Sequence, residues 1–437
     1  MNAYIVVIAA SITIIISYFF NLLSKKTNVP SVLMLIVFGI LIKQVMNLSG
    51  VGGINWFPYL EVLGIIGLIM IVLEAALDLE LTREKRVLIW KSLIIALLSL
   101  LLIGGAISLL LMWILNLDIT SAMLYAVPLS VMSSAIVIPS VANLTGDNKE
   151  FMIYESTFSD IFGIMIFYFI LSGTEVESAK LMWMGGFFNV LMTILISFVV
   201  SYGLILLFQN IKSENKLVLL VAVLVLLYTV AKQFHLSSLL IILIFGLILC
   251  NRHIFFMGKL DKYLKKAEVN EIYTNFRMIT IESSFVLRTF FFVIFGITIT
   301  LSSLFSYKVL LLSLVFLAMI YGIRYLLLLV FCRKDRQPKL WLAPRGLITV
   351  LLFYSIPKEY MAESFDQGVL LYVIIITNLI MGYGLMKHGQ KTRKMKLSEQ
   401  SMEIDVENNE DNDNKNDIDN DNNEHELKDE SDENSEK

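Results

Sequence analysis

Thirteen stretches of this chain are apolar enough to sit in lipid, and nearly all are long enough to cross a bilayer: 3–23, 30–46, 58–77, 90–115, 119–143, 149–173, 182–210, 216–233, 236–250, 278–304, 307–332, 338–357 and 366–388. A spanning helix needs about twenty mostly apolar residues. In hydrocarbon the backbone must satisfy its own hydrogen bonds, which a helix does within one segment. The chain therefore reads as an all-α polytopic membrane protein. Composition excludes a soluble alternative: 57% of residues are hydrophobic and 17% charged, against roughly 45–50% and about 25% in soluble domains.

Lysine and arginine in the connecting loops set the topology, because cytoplasmic loops are enriched in them. The odd-numbered loops carry Lys25 and Lys26; Arg83, Lys85 and Arg86; Lys149; Lys212; a long run from Arg252 through Lys259, Lys262, Lys265 and Lys266 to Arg277; Arg333, Lys334 and Arg336; and Lys391, Arg393, Lys394 and Lys396. The even-numbered loops offer Lys180, Lys308 and Lys358. The expected arrangement is a cell-membrane protein with its N-terminus outside and its C-terminus in the cytoplasm.

Two segments repeat. Pro30–Gly39 opens the second span and Ser237–Gly246 the ninth, with Ser31/Ser238, Leu33/Leu240, Phe38/Phe245 and Gly39/Gly246 identical. The end of span 3, through Leu81, resembles the end of span 10, through Leu301. Both pairs relate one span to the seventh after it, so the partners cross in opposite directions. That is an inverted-topology repeat, spans 1–6 against 8–13, as in secondary transporters. Such folds place the binding site at discontinuous helices. Spans 5 and 12 are the candidates: the first holds Pro139, the second Pro344-Arg345-Gly346. A proline removes a backbone donor and frees a carbonyl one turn earlier, and a broken helix survives in a membrane only where protein or a wet cavity meets it.

Central ionisable residues are few: Glu61, Glu74, Glu155, Asp160, Glu282, Arg288, Arg324 and Arg345. Each costs roughly 2.5–3.5 kcal/mol on insertion scales and needs a partner or a task. In span 6, Ser156 and Asp160 share one helical face, while Glu155 and Ser159 share another about 100° away. A carboxylate beside a hydroxyl suits a small dehydrated cation. Glu155 is better placed to neutralise a buried arginine.

Glu155-Ser-Thr-Phe-Ser-Asp160 resembles the Glu-Ser-x-x-Asn-Asp stretch of monovalent cation/proton antiporters, the sodium/hydrogen exchanger superfamily. Leu73-Glu74-Ala-Ala-Leu-Asp-Leu79, Arg288-Thr-Phe-Phe-Phe292 with Gly296, and Trp341-Leu-Ala-Pro-Arg345-Gly346 are similar to its other signatures. The resemblance covers residues 1–390. It implies that Asp160 alternately holds a proton and a monovalent cation, that Ser156 is a hydroxyl ligand with Ser159 beside the carboxylate, and that Val137, before the break, offers its carbonyl. It further implies that Glu155 pairs with Arg324 or Arg345, with Arg288 and Glu74 as supporting charges. The chain departs from the pattern at Ser159, where the family has Asn or Asp, and at Val137-Ile138-Pro139, where many sodium exchangers have Thr-Asp-Pro. Ser133-Ser134-Ala-Ile-Val137 looks instead like the potassium-efflux branch, so Na⁺ and K⁺ both stay open as substrates. Since Ser159 does not titrate, one proton per cation is expected. An organic-solute carrier on a similar fold and a cation channel are the competing readings.

Expected partners are H⁺, Na⁺ or K⁺ and the lipid bilayer, with a homodimer and no nucleic acid. Cys250 and Cys332 form no disulfide framework or metal site, there is no phosphate-binding glycine loop, and neither a cofactor nor enzymatic activity is expected. The organisation expected is a membrane domain over 1–390 and a cytoplasmic tail over 391–437. The tail begins basic. From Ser398 it carries 17 acidic against 3 basic residues, a composition expected to stay disordered and to be dispensable for exchange.

Overall fold

The computed structural model describes residues 3–27, 29–48, 57–82, 84–141, 144, 146–173, 179–213, 215–234, 236, 238–257, 262–299, 306–333, 336–362 and 364–388. The tail expected beyond residue 390, Arg83, Lys259 and Lys334 lie outside them. The elements are α1 (Ala3–Thr27), α2 (Ser31–Leu48), α3 (Phe57–Asp78), α4 (Arg86–Leu115), α5 (Ile119–Ser130), α6 (Ser134–Ser140), α7 (Gly146–Gly173), α8 (Ala179–Phe208), α9 (Lys216–Gln233), α10 (Ser238–Cys250), α11 (Arg252–Phe255), α12 (Lys266–Thr298), α13 (Tyr307–Phe331), α14 (Leu347–Tyr354) and α15 (Gly368–His388). No strand occurs among the described residues. Ten of the described helices are long and apolar enough to cross a membrane. Their outer faces stay apolar and exposed, as at Leu109, Trp113, Val199 and Val330, which fits lipid rather than water as the surrounding medium.

Two packing neighbourhoods organise the chain up to Gly384. In one, α12 lies along α2 and α3, and α10 packs on α3, α8 and α9. In the other, α4 packs on α5, α7 and α13, with α6 against α7 and α14 against α5. Residues to Gly384 form one compact unit, and a second starts at Leu385, of which the end of α15 is described.

The glycines of the sequence repeat do equivalent work in its two halves. A Cβ on Gly39 of α2 would stand 2.2 Å from the Val293 carbonyl oxygen and 2.9 Å from the Gly296 Cα of α12. A Cβ on Gly246 of α10 would stand 2.6 Å from the Ala76 Cβ of α3. Span 2 thus meets span 10 as span 9 meets span 3, which is the pairing an inverted repeat requires. Because the atoms facing Gly39 are backbone, they cannot swing away. Gly39→Ala is expected to cost about 1–3 kcal/mol through overpacking, read as a lowered unfolding temperature of the purified protein.

Beyond shifts of a few residues at helix ends, three differences from the sequence reading bear on the site. α12 starts at Lys266 rather than near residue 278. Its first turns carry Glu268, Glu271 and Arg277, exposed charges that hydropathy excludes but a helix extending beyond the bilayer tolerates. Span 5 is interrupted at Val131–Ser133, ahead of Pro139, which lies inside α6. Span 12 is helical only from Leu347, after a turn at Pro338–Trp341 and a non-helical run from Leu342 to Gly346.

Candidate ion-exchange site

The two interruptions meet. Ser133 N–H donates to the Pro344 carbonyl at 3.0 Å, joining the link between α5 and α6 to the non-helical segment ahead of α14. Gly346 lets them approach: a Cβ there would fall 2.4 Å from Ile136 Cδ1 and 2.9 Å from Ser133 Oγ. The sequence reading of discontinuous spans 5 and 12 holds, while the break in span 5 moves. Pro139 has no N–H, so the Ala135 carbonyl loses its helical donor, yet the chain stays helical around it.

Asp160 of α7 points at this crossing. It is 2% exposed. Its Oδ2 accepts the Ser134 N–H at 3.0 Å, and its Oδ1 is buried with no hydrogen-bond partner. Two residues before Ser134, Met132 N–H donates to Ser159 Oγ at 2.9 Å. Ser159 and Asp160 therefore hold the same link side by side, and Ser159 serves as a fixed acceptor rather than an unengaged hydroxyl. Ser156 is fully buried, its hydroxyl donating to Ile153 O at 3.2 Å in its own helix. Val137 lies inside α6, after the break rather than before it, and its carbonyl accepts the Val141 N–H at 2.9 Å. Ser133 Oγ, buried and without a partner, is the polar atom at the true break.

The buried charges are sorted into separate tasks. Arg324 of α13 grips Glu155 with both terminal nitrogens, at 2.8 and 3.0 Å, the two side chains being 3% and 1% exposed. Its Nε and Nη2 also donate to Lys339 O at 3.0 and 2.7 Å. This bidentate fork is the geometry that makes an arginine–carboxylate pair strong, and it settles the partner of Glu155. Arg345 instead donates to Leu129 O at 2.8 Å and Ala343 O at 2.9 Å. Leu129 is in the last turn of α5, whose carbonyls lost their donors at the break, and a cation there also complements the helix dipole. The Arg345 backbone is clamped by α15, with its N–H on Thr377 Oγ1 at 3.0 Å and its carbonyl accepting from Asn378 Nδ2 at 2.8 Å.

Beside the crossing lies a cavity of about 230 Å³ whose polar lining includes Ser17, Ser31, Glu74, Ser134 and Arg288. Arg288 Nη2 meets Glu74 Oε1 at 3.2 Å, while its Nη1 donates to Ala135 O at 3.3 Å, the carbonyl that Pro139 leaves without a helical donor. The wall is closed by Ser17 Oγ and Thr289 Oγ1, 2.6 Å apart. Glu282 is exposed on α12 and outside the site.

The sequence reading overlooked Thr377 and Asn378, and noted Ser133 and Ser134 only for their likeness to the potassium-efflux branch. Ser133 stands at the N-cap position of α6, where serine is favoured, though its hydroxyl makes no cap bond, and Ser134 is the first residue of the helix. Thr377-Asn378 is a polar pair inside an apolar span, a signal of the same kind as an intramembrane charge. No group of three or more histidine, cysteine, aspartate or glutamate side chains able to hold a metal occurs among the described residues.

The fold is similar to solved structures of the sodium proton antiporter MjNhaP1 from Methanocaldococcus jannaschii. One, at pH 8, superposes with a TM-score of 0.61 at 20% identity, covering 88% of this chain and 95% of that one. A second, from an electron-microscopy map, gives 0.61 at 19% identity, covering 91% and 98%. No curated protein matches the chain. The family model described as "Sodium/hydrogen exchanger, transmembrane" matches residues 9–386; nearly the whole described fold falls within it, and the chain belongs to the sodium/hydrogen exchanger family.

Proposed function

We propose that the protein is a secondary antiporter that exchanges protons for Na⁺ or K⁺ by letting either occupy Asp160. The observation that carries this is the Asp160 carboxylate, buried at the meeting of two interrupted helices with one oxygen anchored and the other without a partner. Burial disfavours a bare negative charge, so the carboxylate takes up a proton or a cation. Each excludes the other. If the empty site does not reorient, each movement of the site exchanges one species for the other, and an ion gradient supplies the free energy without ATP.

Exchange is proposed to be electroneutral. The neighbouring acids Glu74 and Glu155 are each engaged with an arginine, which leaves Asp160 as the carboxylate available to exchange. Ser133 Oγ, buried and without a partner, is proposed as the ligand from the break in place of the Val137 carbonyl. The basic loops after α1 and α3 lie at the end of the bundle on which the 230 Å³ cavity sits. With those loops in the cytoplasm of a cell-membrane protein, the cavity faces inward. The protein is proposed to act as a homodimer, its membrane domain running to about residue 390 and its acidic tail lying in the cytoplasm.

The test is reconstitution in liposomes with a pH-sensitive dye and, in parallel, recording on a solid-supported membrane. Addition of Na⁺ or K⁺ is expected to dissipate an imposed proton gradient without sustained current. Rapid passive current without proton movement would identify a channel, and uptake of a labelled organic solute without cation-coupled proton flux a solute carrier.

A further inference from the structure

We infer that Gly163, through its contact with Val131, sets the size of the cation that Asp160 shares with the link between α5 and α6. This rests on the exchange reading above and deepens it, since nothing in that reading chooses between Na⁺ and K⁺. Gly163 is buried on α7. It follows Ser159 by four residues and Asp160 by three, and so shares their face of the helix. Those two residues hold the link by its backbone, at Met132 N–H and Ser134 N–H. Gly163 meets the residue that begins the link. A Cβ on it would fall 2.2 Å from Val131 Cγ2, 3.3 Å from Cγ1 and 3.4 Å from Cβ. One stretch of α7 therefore holds the link at Val131, Met132 and Ser134, by a steric contact at the first and hydrogen bonds at the other two.

The steric contact is the stiffer kind. Val131 is 0% exposed, and a β-branched side chain has little freedom at χ1, so its methyl does not swing aside. The missing side chain at Gly163 thus fixes how closely the link lies on α7. Ser133 lies within the link, and its Oγ is buried without a partner, as is Asp160 Oδ1. These are the two ligand atoms of the exchange reading, one on the link and one on α7. A displacement of Val131 away from the helix carries Ser133 and Ser134 away from Asp160. Selectivity among hard cations follows cavity size, ligand number and flexibility. Here the ligands stay the same and the space between them changes, so a wider seat favours a larger cation and a narrower seat a smaller one. Gly163 does not touch the ion; it is a positioning residue that acts through Val131.

The experiment uses the full chain in proteoliposomes and reads the exchange KM for Na⁺ and for K⁺. Gly163→Ala is expected to shift the ratio of the two about tenfold in favour of K⁺, the lower end of what overpacking by one methyl brings. Val131→Ala removes both γ-carbons and lets the link settle onto α7, so it is expected to shift the ratio in favour of Na⁺. In the double variant the added Cβ meets only the Cβ of residue 131, at 3.4 Å, an ordinary contact, and the parent ratio is expected to return. A general loosening of the fold would raise both KM values together and would worsen in the double variant rather than cancel. A Gly163→Ala variant that exchanges with the parent ratio would overturn the inference while leaving the exchange reading intact, and so would a double variant that keeps the ratio of Gly163→Ala. If Gly163→Ala does not fold, Val131→Ala carries the test, and a ratio equal to the parent's overturns the inference. A parent protein that moves no cation against protons would remove the exchange reading itself, and this inference with it.

Discussion

Asp160→Asn is expected to abolish exchange while leaving the protein folded. The amide keeps the shape of the carboxylate and can still accept the Ser134 N–H through its oxygen, so the link between α5 and α6 remains anchored. What is lost is titration: asparagine neither releases a proton near neutral pH nor supplies the charge that offsets a dehydrated cation. Loss of one ionic ligand of roughly 4 kcal/mol corresponds to about a thousandfold, which brings dye-measured exchange to the level of empty vesicles. Size-exclusion behaviour and unfolding temperature are the controls. Exchange at the normal rate by a correctly inserted Asp160→Asn variant would remove Asp160 from the site.

The second large effect concerns stability. Glu155→Ala is expected to lower stability by about 3–5 kcal/mol, because it strands the Arg324 guanidinium in a buried position. The unfolding temperature and the yield of monodisperse protein in detergent report this directly. Arg324→Ala should be at least as damaging, since it also strips Lys339 O of two donors. Replacing both partners with apolar residues should recover part of the loss, as buried pairs often can be exchanged for packing, but not the part due to the orphaned carbonyl. A Glu155→Ala variant as stable as the parent yet inactive would place Glu155 in the ion site instead.

Much of this architecture was legible in the residues because a bilayer imposes strict demands. Apolar runs of fixed length mark the crossings, basic loops alternate with poor ones, and a buried charge has to be explained. The Gly39/Gly246 match was visible as identity, and its cause, close helix approach at two symmetry-related crossings, is geometric. The break in span 5 was misplaced for an equally physical reason. Proline advertises a lost donor, but Pro139 sits in the last turn of a helix that tolerates it, with Arg288 supplying the missing donor to Ala135 O. The true interruption at Val131–Ser133 has no proline or glycine. It is stabilised by tertiary bonds from Ser159, Asp160 and Pro344, which no local pattern contains. The choice between Arg324 and Arg345 for Glu155 was likewise invisible, since both are single arginines in apolar spans and only the fold brings one of them within reach.

The crossing is bonded mostly to itself. Asp160 holds Ser134, Ser159 holds Met132, Ser133 holds Pro344 and Arg345 holds Leu129, so carboxylate, link and half-helix form one mechanical piece. A pore lets ions stream past stationary ligands and is limited by diffusion. In the exchange proposed above, the ligands travel with the ion, and each turnover moves a block of several helices. Collective motions of that kind take microseconds to milliseconds. Flux through this protein should therefore saturate with cation concentration at a ceiling set by that motion and fall steeply on cooling, and thickening or stiffening the surrounding lipid should slow it with the ion chemistry unchanged.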